Sequence, residues 1–162
     1  EELLESFPRV RFNIDVKEPN AVQPFIDVMR RMNAWDRVVV ASFGHDRLRK
    51  LRRMAGPRLE SSLSPRETVQ LWLNSHRLLW KSAPVGACVQ VPTHVAGRPF
   101  VEPVFIRTVH SLGLQVHVWT IDEAEEMHRL LDLGVDGIMT DRPTVLRDVL
   151  QSRGQWAGRE ED

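Results

Sequence analysis

The chain has 162 residues, with 22 Lys plus Arg against 22 Asp plus Glu and no net charge; that length allows one domain with a sizeable core, and the balance gives neither nucleic acid nor an anionic membrane surface a bulk attraction. Its 42% hydrophobic content is that of an ordinary globular sequence, no apolar run nears the ~18 residues that span a bilayer, and the lone Cys88 cannot close an internal disulfide, which favours a reducing, cytoplasmic setting. The opening Glu1-Glu2-Leu3-Leu4-Glu5 carries no signal-peptide pattern and no initiator Met, so a piece of a longer protein is expected.

Strand and helix signals alternate along the chain. In Arg11 to Lys17, Phe12, Ile14 and Val16 share one face and Asn13, Asp15 and Lys17 the other, a strand with a polar face. A helix is predicted over 20–33. Val38-Val39-Val40, ending in Ala41-Ser42-Phe43-Gly44, reads as a buried parallel strand. The next helix carries Leu48, Leu51 and Met54 and stops at Gly56-Pro57. A short strand fits 58–63, and Ser64-Pro65-Arg66-Glu67 supplies a cap, a first-turn Pro and a Glu three residues on for a helix to about Trp80. Ala87 to Val91 reads as a strand. Val101, Val104, Phe105, Val109 and Leu112 fall at helical spacing before Gly113. Leu114 to Ile121 is a strand, Asp122 with Glu125 a capping pair for the helix through Leu133, Val135 to Thr140 the last strand, and 143–151 the last helix.

About six β/α units imply a parallel sheet. Eight would close a barrel; six make an open doubly wound sheet or a barrel short of two staves. With no repeat and no Gly/Ser-rich linker, residues 1–151 form one domain, and the polar 152–162 a disordered tail.

Several segments resemble the glycerophosphodiester phosphodiesterases, a family of (β/α)8 barrels. Phe12-Asn13-Ile14-Asp15-Val16-Lys17 is similar to the family's third-strand segment, where an acid two before a Lys helps hold a divalent metal; Asp15 stands where many members have Glu. Val38 to Phe43 is similar to the strand ending in Ser-Phe. Leu114 to Pro143, with Val118-Trp119-Thr120-Ile121-Asp122 and Gly134-Val135-Asp136-Gly137-Ile138, resembles the last two strands, although many members have Asn at Asp122. The likeness is strong over 11–54 and 114–150 and poor over 58–95. The family's His-Arg-Gly strand, its Glu-x-Asp strand and the hairpin ending in a catalytic His-Asp have no counterpart; His45-Asp46 follows a different strand.

The resemblance therefore implies a partial (β/α)8 TIM barrel, units three to eight. It implies metal-dependent hydrolysis of a small glycerophosphodiester to glycerol 3-phosphate and an alcohol by the parent protein. Asp15 would serve a Ca or Mg ion whose site is incomplete here, Lys17 the phosphate and Trp119 the pocket wall, with the catalytic histidines missing. The chain alone is expected to be inactive, and its unclosed barrel edges invite self-association.

Plainer readings stand beside these. Asp15 and Lys17 could be a solvated strand face, and Trp119, Ser42 and Phe43 core packing. Asp122 reads as a helix cap and Asp141 as a turn or cap. His45 fits a helix start or solvent, and His117, on the strand face of Gln115 and Trp119, an inward hydrogen-bonded residue. His76, His94, His110 and His128 lack metal spacing. Arg47, Arg49, Lys50, Arg52 and Arg53 read as the outer face of an amphipathic helix, and Cys88 as buried and inert. Another phosphate-handling TIM-barrel enzyme is an alternative, weakened by Asp141-Arg142-Pro143 where a Gly-rich phosphate loop is needed. A non-catalytic α/β module is a second.

Overall fold

The computed structural model describes residues 1–77 and 84–157. Its strands are β1 (Phe12–Asp15), β2 (Val38–Ala41), β3 (Glu60–Ser61), β4 (Cys88–Val91), β5 (His94–Val95), β6 (Arg98–Pro99), β7 (Gln115–Val118) and β8 (Gly137–Ile138). Its α-helices are α1 (Glu2–Ser6), α2 (Val22–Met32), α3 (His45–Ala55), α4 (Pro65–Ser75), α5 (Pro103–Ser111), α6 (Ala124–Leu133) and α7 (Pro143–Ser152). Parallel ladders run β1-β2-β3 and β4-β7-β8. A parallel bridge between Ser62 and Cys88 joins them, with Ala87 N donating to Ser61 O and Leu63 N to Cys88 O, each at 2.8 Å. The strand order is thus β1-β2-β3-β4-β7-β8, and a helix follows each of these strands.

Side chains alternate across the sheet because the strand period is two. Val16, Val38 and Val40 pack on Val22, Ile26, Leu48 and Leu51 of α2 and α3. Val89, Val91, Val116 and Val118 pack on Phe105, Val109, Met127 and Leu130. Burying each such side chain contributes roughly 1.5–3 kcal/mol. The other face is polar. Gln90 on β4 donates to Asn13 Oδ1 on β1 at 3.0 Å, and Asn13 Nδ2 lies 3.8 Å from Met139 Sδ, just past β8. In a flat sheet β1 and β4 are about 14 Å apart and β1 and β8 about 24 Å. The sheet is therefore strongly curved, with Asn13, Gln90 and His117 on its concave side. His117 Nε2 lies 3.1 Å from Gln115 Oε1, the inward hydrogen-bonded placement expected. Burial pushes its imidazole pKa down, against the pull of Asp136. A Cβ at Gly137 would meet His117 Cδ2 at 2.8 Å, so the neighbouring strand must be bare there.

The Ser64 capping box is present: Ser64 Oγ accepts from Glu67 N, and Glu67 Oε2 accepts from Ser64 N at 2.8 Å. Other local expectations are corrected. Asp122 does not cap α6; Glu123 holds that position, and Asp122 Oδ1 instead accepts from Thr140 Oγ1 and Asp141 N, tying the end of β7 to that of β8. Two arginines assigned to the outer face of α3 turn inward. Arg47 Nε donates to Ser42 Oγ at 2.7 Å, and Arg52, whose side chain is 15% exposed, pairs with Glu67 at 2.7 Å and donates to Ser62 O. A long guanidinium reaches back to the strand end, where an unpaired carbonyl or carboxylate is a better partner than its neighbours on the helix. α4 ends at Ser75, and residues 78–80 of the helix expected to reach Trp80 lie outside the described residues. α1 and the β5–β6 hairpin are additional. Ser152 closes α7 and Arg153 pairs with Asp132 at 2.8 Å, so these residues do not belong to a loose tail; 158–162 lie outside the described residues.

Two substitutions test this architecture. Gly137→Ala forces the His117 ring aside and is expected to cost about 1–3 kcal/mol in urea unfolding. For Glu67, burial opposes ionisation, yet bonds from Arg52 and Ser64 hold the carboxyl below its usual value near 4.5. A depressed carboxylate pKa stabilises the fold above the unfolded value, and that contribution is lost as pH falls through the folded one. Glu67→Gln is therefore expected to cost about 2 kcal/mol at neutral pH. The gap between variant and parent should narrow once the pH drops below about 4.5.

Candidate functional site

A cavity of about 650 Å³ opens where the parallel strands end. Asp15 closes β1 and Lys17 follows two residues on, so both reach the same side. Ser42 and Phe43 follow β2, Ser62 and Leu63 follow β3, Trp119 and Thr120 follow β7, and Met139 follows β8; all line the cavity with Asp15 and Lys17. Lys17 is exposed at the cavity's edge and Asp15 half-buried, so the solvated strand face weighed for this pair stands beside a lining role, whereas Trp119 is half-buried and lies outside both core clusters. Phe43, 66% exposed, meets the Trp119 ring edge-on at 6.2 Å, so the aromatics from two non-adjacent strands converge over the mouth.

The floor beneath is fixed by hydrogen bonds. Ser42 Oγ donates to Val16 O at 2.8 Å and accepts from Arg47 Nε and Gly44 N, which clamps the β1 and β2 ends together beside Lys17. Asp15 Oδ1 is buried without a hydrogen-bond partner, and Asp15 and Lys17 enter no ion pair among the described residues. A buried, unpartnered carboxylate oxygen is costly unless a cation or donor meets it. One donor therefore fits a divalent cation, but the described residues hold no cluster of three His, Cys, Asp or Glu able to bind one.

Acid/base groups are likewise scarce. Among the described residues no histidine lines the cavity. His45 starts α3 with Nδ1 2.8 Å from Ser64 Oγ, in its helix-start role, and His110 pairs with Asp136 at 2.8 Å away from the cavity. Burial pushes the Cys88 thiol up to about 11, which agrees with an inert core cysteine. Lys17 offers an ammonium to an anion and Trp119 a ring face to an organic group, and among the described residues no histidine stands beside them to move a proton.

Sequence reasoning missed the cavity's apolar side, formed by Leu63, Val69 on α4, Val91, Val95 and Phe100. Val95 stands on the β5–β6 hairpin, whose Ala96 and Gly97 both have positive φ, as a two-residue primed turn requires. Ala96-Gly97 was the available signal, but arms of two residues are too short to show alternation.

The profile of the "Glycerophosphoryl diester phosphodiesterase family" matches residues 5–145. "Probable glycerophosphodiester phosphodiesterase 2" of Mycobacterium tuberculosis is 41% identical over 163 aligned residues, covering 98% of this chain and 61% of the relative. The chain spans about three fifths of the length of the curated relatives it matches. A glycerophosphodiester phosphodiesterase structure from Parabacteroides distasonis shares the fold with TM-score 0.70 at 23% identity, over 95% of this chain and 63% of the other. So does an Oleispira antarctica phosphodiesterase in complex with the product sn-glycerol-3-phosphate, with TM-score 0.68 at 15% identity, over 93% and 58% of the two chains. With its profile match spanning most of the length and a near-complete alignment at 41% identity, the chain belongs to the glycerophosphoryl diester phosphodiesterase family.

Proposed function

We propose that the chain forms units three to eight of a (β/α)8 barrel whose complete protein hydrolyses glycerophosphodiesters to glycerol 3-phosphate and an alcohol. The observation that carries this reading is the meeting of Asp15, Lys17 and Trp119 in one cavity at the strand ends, with a carboxylate oxygen of Asp15 buried and unpartnered. The relative that holds sn-glycerol-3-phosphate supports the substrate class.

In this reading Lys17 sets its ammonium against a phosphate oxygen. Trp119 and Phe43 pack on the organic part of the diester and keep water from that side. Asp15 is one ligand to a Ca or Mg ion, the further carboxylates coming from outside these residues; such an ion, when bound, neutralises the diester's charge and polarises its phosphoryl group. His45 and His117, held by Ser64 and Gln115, do not serve as acid and base. The free edges of β1 and β8 pair with the remaining staves and, without them, with other copies of the chain.

The test compares the isolated chain with the complete protein. The 162-residue chain should release no choline from glycerophosphocholine and bind Ca²⁺ no tighter than about 1 mM, as expected of one carboxylate. In the complete protein, Asp15→Asn and Lys17→Ala should each lower kcat/KM by roughly 10²–10³-fold. Turnover by the isolated chain, or full activity in both variants, would contradict the proposal.

A further inference from the structure

At the far end of α4 stands a histidine whose two ring nitrogens both face acceptors. His76 follows Ser75, the last residue of the helix. Its Nδ1 lies 2.9 Å from Trp72 O, a carbonyl of the last helical turn, and 3.0 Å from Ser75 Oγ. Ser75 Oγ donates its one proton to the same carbonyl at 2.6 Å, so it too turns a lone pair to the ring. A carbonyl oxygen cannot donate, and Nδ1 therefore carries a hydrogen. Nε2, across the ring, lies 3.2 Å from Glu102 Oε2 at the start of α5. A neutral ring would set a lone pair against that carboxylate, whereas a ring with both protons donates on each side. The arrangement of acceptors fits an imidazolium.

The ring's face points the same way. It lies on Trp72 with ring centroids 4.2 Å apart, a contact that favours a cation over a neutral ring. Trp72 stacks in turn on Phe100 at 5.6 Å, and Phe100 meets Phe105 of α5 at 5.3 Å. Phe100 N donates to Thr93 O at 2.8 Å, which closes the base of the β5–β6 hairpin. One histidine thus touches the end of α4, the start of α5 and the aromatic stack that seats the hairpin. The side chains of His76 and Glu102 are 29% and 36% exposed, so water screens them less than an open surface pair.

Glu102 is the one charged group within ion-pair distance of His76 among the described residues. Of the other ionisable groups on or beside the two helices, Glu67 is held by Arg52 and His110 by Asp136, while Arg66, Arg77 and Arg107 stay exposed.

We propose that His76 and Glu102 form a proton-dependent latch. With both ring nitrogens protonated it ties α4 to α5 and steadies the hairpin base through Trp72 and Phe100; loss of the Nε2 proton opens it. The latch does not depend on what the cavity binds. Its stabilisation is present while the ring is charged and is lost as the pH rises and the ring becomes neutral.

Two measurements on the 162-residue chain test it. Nitrogen-15 NMR of the imidazole should find both His76 nitrogens protonated at about pH 5.5 and the remaining proton on Nδ1 at about pH 8.5. Amide hydrogen exchange, corrected for the intrinsic rate at each pH, should show the Phe100 amide roughly fivefold more protected at the lower pH. His76→Gln and Glu102→Gln should each abolish that difference. His94 stands on the hairpin itself, with Nδ1 3.1 Å from Thr93 Oγ1, and His94→Gln should leave the difference in place.

The ring-proton measurement needs no variant, so it decides even where a substitution unfolds the chain. A proton on Nε2 rather than Nδ1 at the higher pH would overturn the latch. So would equal Phe100 protection at both pH values, a difference that persists in both Gln variants, or one that disappears in His94→Gln.

Discussion

Curvature of the parallel sheet is the constraint on which the site depends. Asn13 accepts from Gln90 and touches Met139, contacts that a flat sheet of this strand order cannot make. Bending brings the ends of β1, β2, β4, β7 and β8 round a common axis, and only then do residues far apart in the sequence, such as Lys17 and Trp119, border the same cavity. The curvature is held from both sides. Valines on the convex face are sealed by helices, and short polar links stitch the concave face.

The strand ends need their own fastening, because backbone groups beyond the last ladder bond have no sheet partner. Ser42, Arg47 and the Val16 carbonyl secure β1 to β2. Arg52 and Glu67 fix the loop after β3 to α4. Asp122, Thr140 and the Asp141 amide join the loops after β7 and β8. Each fastening adjoins residues that line the cavity, Ser42, Ser62 and Met139 among them, so the groups that end the strands also steady the pocket's lining.

Much of this was legible in the sequence where one rule acted alone. Alternation in Phe12 to Lys17 gave both the strand and the face that carries Asp15 and Lys17, and Ser64-Pro65-Arg66-Glu67 gave the start of α4 down to its reciprocal bonds. The reading failed where two rules competed. Asp122 followed by Glu125 satisfies the capping pattern, yet the carboxylate finds a hydroxyl and an amide across the strand ends, partners distant in sequence. Arg47 and Arg52 satisfy helical amphipathicity, yet their reach lets them leave the solvent face for Ser42 and Glu67. The apolar wall was hidden because Val69 and Val95 are single residues on short or surface elements, and only the assembled sheet makes them neighbours of one cavity.

The central claim is that Lys17 and Trp119 address one phosphate-bearing ligand. Heteronuclear NMR of the chain titrated with sn-glycerol 3-phosphate tests it most directly. The account predicts that the Lys17 ammonium-side resonances and the Trp119 indole shift together along one binding curve, and that Lys17→Ala abolishes the Trp119 response. Shifts confined to one of the two, or a Trp119 response unchanged in Lys17→Ala, would contradict it.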